Sequence, residues 1–184
     1  GFPKYAFLSF LVVYSLTTVL FFSSGYISPR ANLPQYVSSR QTSFIYIGKE
    51  GNSTISIKPL HPNLKSFISN APQAFNHAVM RPYLSEATRI EYIPFALEVF
   101  IIELIFIVFL FYHQKKLLIN PLIYFCVFFS VTMLFITGYT VPIIGAIVRY
   151  RSIYLLFLTL PMLCYTDWER VKNSIILKRK TAKP

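Results

Sequence analysis

Apolar residues along this chain come in long blocks. Tyr5–Ser23 (YAFLSFLVVYSLTTVLFFS), Ile93–Tyr112 (IPFALEVFIIELIFIVFLFY) and Leu117–Thr137 (LLINPLIYFCVFFSVTMLFIT) are almost continuous, and Gly138–Thr166 is a fourth block, charged only at Arg149 and Arg151. A bilayer core of about 30 Å takes roughly 20 helical residues. The pattern predicts an all-α membrane protein with four transmembrane helices: one within residues 1–23, three within 93–166, a long extracytoplasmic loop at 24–92 and a basic cytoplasmic tail at 167–184. A cleaved secretory signal is the competing reading of the first block, but its apolar core would run only about 7–15 residues, and just Lys4 precedes this one.

The loop carries two further patterns. SFIYIGKEGNSTISIKPL, ending at Leu60, alternates apolar and polar residues on both sides of Lys49–Asn52, which predicts a β-hairpin with Gly51 at the turn. After it, Leu64, Phe67, Ile68, Phe75 and Val79 recur at helical spacing. They predict two short amphipathic helices divided by Pro72, lying flat on the outer membrane surface with their polar faces upward. Asn52-Ser-Thr54 also matches a glycosylation sequon.

Charge orients the spans. Lysine and arginine outnumber aspartate and glutamate by 18 to 7, a net charge of +11. In a soluble protein that excess would point to nucleic acid. Here the short link with Lys115 and Lys116, and a tail bearing Arg170, Lys172, Lys178, Arg179, Lys180 and Lys183, place both termini in the cytoplasm, so membrane lipid and not nucleic acid is the expected partner. The KRKTAKP end is expected to be disordered. The chain begins GFPKYAF and its first methionine is Met80, so Gly1 is expected to be an internal point of a longer chain. Trp168, Tyr92, Tyr112, Tyr139 and Tyr165 suit the headgroup level.

No soluble catalytic signature is present: no phosphate-binding glycine loop, nucleophile elbow or paired histidines at metal spacing. Neither a cofactor nor a metal is expected, and His61, His77 and His113 are read as surface side chains. Cys126 and Cys164 are read as small hydrophobes inside spans.

The intramembrane charges remain. Glu98 and Glu103 lie roughly 8 and 15 Å down the second span and about 140° apart around it, which argues against a two-carboxylate acid/base pair. Each should face protein or water. The fourth span must begin before Arg149 to be long enough, and Pro142 is a good first residue. Arg149 and Arg151 then lie roughly 10–13 Å inside its outer end. They either snorkel to the headgroups or face a wet cavity, and in an unwound stretch permitted by Gly138, Pro142 and Gly145 both would point to one side. Guanidinium forks there suit a lipid phosphate, with Glu98 as the rival partner.

The segment NAPQAFNHAVMRPYL leading into a Glu-bearing span, followed by GYTVPIIGAIVRYRSIYLLFL, resembles the C-terminal part of multi-pass inner-membrane proteins of Bacteroidota envelope polysaccharide loci, which are similar to lipid-linked glycosyltransferases and polysaccharide polymerases. The similarity covers residues 60–166. It implies a bacterial inner-membrane protein handling polyprenyl-phosphate-linked glycans at the outer face. Arg149 and Arg151 would bind the lipid phosphate, Arg81 and Glu98 would assist, and no catalytic residue is assigned. The alternative is a non-catalytic subunit of a larger membrane complex, docking by strand addition through Phe44–Leu60. A third reading makes Glu103 a proton relay in a transporter.

Overall fold

The computed structural model describes residues 5–48, 54–83, 90–114 and 120–181. These form α1 (Ala6–Ile27), α2 (Leu33–Gly48), α3 (Leu64–Val79), α4 (Ile93–Tyr112), α5 (Pro121–Thr140), α6 (Ile144–Tyr165) and α7 (Trp168–Thr181). Four of them, α1, α4, α5 and α6, are long and apolar enough to cross a membrane, which makes this a multi-pass helical membrane protein.

Local chemistry explains where the spans begin. Proline occupies the first turn of α4 and of α5, where a missing N–H costs nothing. Asn120 caps α5, its Oδ1 accepting from the Leu122 amide at 3.0 Å. α6 starts at Ile144 and not at Pro142, because Val141–Ile143 is held extended. Thr54 bridges Ile143, and the Ile55 amide donates to the Pro142 carbonyl at 2.7 Å.

The spans stand side by side in the order α1, α5, α6, α4. α1 runs parallel to α5, with Phe7 against Tyr124 and Tyr14 Oη donating to the Phe128 carbonyl. α6 runs antiparallel to α5, with Ser130 Oγ donating to the Tyr154 carbonyl and Asn120 reaching the Tyr165 hydroxyl. At the far end the Asp167 amide donates to the Tyr112 carbonyl, tying α6 to α4. α2 and α3 lie across α5 at the opposite end, called here the α3 end.

The loop between α1 and α4 departs from expectation. No β-hairpin forms: among the described residues there is no strand, and its first arm is the last turn and more of helix α2. The expected turn at Lys49–Asn52, Lys4, Lys115 and Lys116 lie outside the described residues. The second arm is extended, but side chains satisfy its backbone in place of a partner strand. Gln41 accepts from the Leu60 amide at 2.7 Å and donates to the carbonyls of Lys58 and Tyr139. Gln73 serves the Lys58 amide, and Ser38 and Asn70 donate to the carbonyls of Leu60 and Pro59. Buried backbone groups need partners of some kind, and helix-borne amides and hydroxyls supply them as well as a strand would.

α3 is a single helix with Pro72 inside it, capped by Asn63 Oδ1 on the Ser66 amide. One stripe, Phe67, Asn70, Ala74 and Ala78, is buried on both sides of the proline, so packing holds the two halves together despite the lost bond. Nor does it lie free on a surface. The Phe67 ring meets Phe21, Phe22 and Tyr139, and Ala78 joins Leu134 and Leu155 in a buried cluster. The tail also differs, since α7 continues through Thr181, started by Asp167 Oδ1 accepting from the Arg170 amide.

Candidate functional site

α3 ends where α4 and α6 come together, and the intramembrane charges gather there. Arg151 is 0 % exposed. Its Nη1 donates to the Arg81 carbonyl, just past the end of α3, and its Nη2 lies 3.5 Å from the Phe95 carbonyl on α4. Glu98 Oε2 is 3.9 Å from the same Nη2, and the carboxylate side chain is 40 % exposed. Arg151 Nε is buried with no hydrogen-bond partner among the described residues. The guanidinium is therefore held mainly through Nη1, its Nε is unsatisfied among those residues, and its Nη2 faces a carboxylate too distant for a short charge-assisted bond of about 2.7–2.9 Å.

Arg149 is not part of this centre. α6 is helical through both arginines, so they point about 200° apart instead of sharing one side as an unwound stretch would allow. Arg149 is exposed on the face that carries Ile153 and Leu156, its guanidinium over the Tyr150 ring. The arginine pair expected from sequence thus separates into one buried and one outward cation. Arg81 is half-buried with its guanidinium over the Tyr83 ring, and it meets Arg151 through its main chain. Glu103 is half-buried further down α4, and no ion pair involving it forms among the described residues.

His77 was expected at the surface and is instead buried, one turn before Arg81. Its Nδ1 has no partner among the described residues. Burial lowers its pKa from 6.5 to about 4, and the Arg81 charge acts in the same direction, so the ring is neutral at pH 7. The signal lay in the spacing of Phe67, Asn70, Ala74 and His77, which places the imidazole on the packed stripe. His61 and His113 are exposed, as expected.

Shallow depressions lie along Ser39, Thr42 and Tyr46 of α2 and between Ile45, Ile57 and Pro142, away from Arg151. Among the described residues no three His, Cys, Asp or Glu side chains cluster as a metal site would require. No protein-family model matches the chain, and comparison with curated proteins and with solved structures finds no match.

Proposed function

We propose that this protein handles a lipid-linked glycan in envelope polysaccharide assembly, with the α3 end of its bundle facing the outside of a bacterial inner membrane and Arg151 receiving the lipid phosphate. The observation that carries this reading is the half-satisfied guanidinium of Arg151, buried inside a membrane-crossing helix and opposed by a carboxylate 3.9 Å away. A charge at that depth is costly and is a mark of function in membrane proteins. Two phosphate oxygens would close the Nε–Nη2 edge in the bidentate geometry that Glu98 does not reach. Glu98, partly exposed, is placed to swing aside. Arg81, next to the site, adds positive potential, while Arg149 snorkels to the headgroups and serves only orientation in the bilayer.

The accessory-subunit reading loses its docking edge. Gly48 and the residues before it are helical, and the groups of residues 58–60 named above are already held by α2 and α3.

The reading is tested by binding of a polyprenyl phosphate to the purified protein in detergent. Arg151→Lys keeps the charge but loses the planar fork, and should weaken binding while the protein remains folded. Glu98→Gln removes the competing anion and should tighten it, and Arg149→Ala should leave it unchanged. Binding that is indifferent to Arg151→Lys sinks the proposal.

A further inference from the structure

We infer that α3 is an inserted helix, entering the membrane leaflet at its own end of the bundle and presenting Leu64, Ile68 and Phe75 to the acyl chains there. This stands apart from any glycan and rests on where α3 touches the spans.

Its first turn meets the last turn of α5, where Tyr139 Oη donates to the Phe67 carbonyl, and past its middle the Ala74 main chain lies against Gly138. Further along, the contacts move down the span. Phe75 packs near Phe135, and Ala78 belongs to the cluster with Leu134 and Leu155. Leu134 is six residues before the end of α5, or about 9 Å, and Arg151, which holds the Arg81 carbonyl, is seven residues past the start of α6, or about 10 Å. α3 therefore descends obliquely, and its C-terminal turn sits within the outer third of the hydrocarbon thickness.

The sequence of α3 fits that depth. Between Lys65, at the shallow end, and Arg81 there is no Asp, Glu, Lys or Arg. Leu64, Ile68 and Phe75 fall within about 40° of one another around the helix. They are 51, 64 and 40 % exposed and flank the packed stripe, between it and a polar face with Lys65 and Ser69. Phe75 joins that face to α5 at Phe135, next to Ile136, which is exposed on a helix that crosses the bilayer. Acyl chains are thus the occupant that continuity of the apolar surface selects. The non-helical backbone that follows an inserted helix needs a donor inside the bilayer, because at that depth it is tolerated only against protein or in a wet cavity. Arg151 supplies one at Arg81, a role it has whether or not a phosphate ever binds.

The experiment places an environment-sensitive fluorophore on single cysteines replacing Leu64, Ile68 or Phe75, in a Cys164→Ala background, with the protein in phosphatidylethanolamine and phosphatidylglycerol vesicles. Tyr36→Cys on α2 gives the aqueous reference. Quenching by acyl-chain nitroxide lipids should rise from Leu64 to Phe75, and quenching by aqueous iodide should be lost at Phe75. Iodide quenching at Phe75 equal to that at position 36 would mean a helix on the surface and would overturn the inference. A Phe75 label silent to both quenchers would mean that protein covers the face, and would overturn it equally. Hydroxyl-radical footprinting of the unsubstituted chain gives a readout free of any labelling effect: Leu64 should be modified and Phe75 and Met80 spared. Because Arg151 is untouched in all of these, failure here leaves the phosphate reading standing, and failure of phosphate binding leaves this one standing.

Discussion

Gly138 of α5 and Ala74 of α3 cross at backbone distance. A Cβ added to Gly138 would overlap the Ala74 carbonyl, which is main chain and cannot turn aside as a side chain would. The close crossing is what lets α3 lie against α5 with only small residues between them, in the way that small residues admit close helix approach elsewhere in membranes.

Gly138→Ala should therefore force the two helices apart and cost about 1–3 kcal/mol. Gly145, in the first turn of α6, has nothing within 4 Å of an added Cβ, so Gly145→Ala should be neutral or stabilise by up to about 1 kcal/mol. Thermal unfolding in detergent separates the two. Equal melting temperatures for both variants would mean that the crossing is not tight.

Gln41 joins α2, the extended segment and the end of α5 through three hydrogen bonds, to Leu60, Lys58 and Tyr139. Gln41→Leu keeps the volume and strands those main-chain groups, at about 1–3 kcal/mol for each one left buried. Proteinase K, which has little sequence preference, should then cut within the extended segment around Ile55–Ile57 faster than in the parent protein. Gln35, exposed on the same helix, is the control, and Gln35→Leu should leave the cutting rate unchanged.

The four spans were legible because a block of some 20 apolar residues has few alternatives in a membrane. The hairpin misled for a physical reason. Phe44, Ile45, Tyr46 and Ile47 favour strands locally, but they continue a helix already begun at Leu33, after Asn32 accepts from the Gln35 amide. The buried side of that helix is polar, with Ser38 and Gln41 turned toward the segment that a second strand would have held. Periodicity in apolar residues does not report such a face. At the site, Arg151 and Glu98 were legible as partners because their depths match. Separating Arg149 from Arg151 depended on whether residues 144–151 are helical or unwound, which Gly145 leaves open in sequence; the extended backbone stops at the Thr54–Ile143 bridge and the helix is continuous from Ile144.

The two cysteines give a check on which faces of the spans are packed. Cys126 is buried among α5 neighbours and Cys164 is exposed near the α7 end of α6. A lipid-soluble maleimide should add once to the native protein, at Cys164, and twice after denaturation, as read by intact mass. Modification of Cys126 in the native state would contradict the packing of α5.

The Arg151–Glu98 pair should respond asymmetrically to loss of either member. Glu98→Ala leaves a fully buried cation with no carboxylate, and because Glu98 is 40 % exposed and 3.9 Å away the loss should stay below about 3–5 kcal/mol, the cost of breaking a fully buried pair. Arg151→Met removes the buried charge itself and leaves a carboxylate that is already 40 % exposed, so its loss should be smaller and should come mainly from the stranded Arg81 carbonyl. The double replacement, Arg151→Met with Glu98→Leu, buries apolar groups in place of both charges and should be milder than Glu98→Ala alone. Arg149→Ala, on the outward face, should change stability by no more than about 0.5 kcal/mol. Unfolding of all four variants in one detergent measures the order. If Arg149→Ala cost as much as Arg151→Met, the two arginines would be sharing a site after all, and the division of α6 into a packed and an outward cation would be wrong.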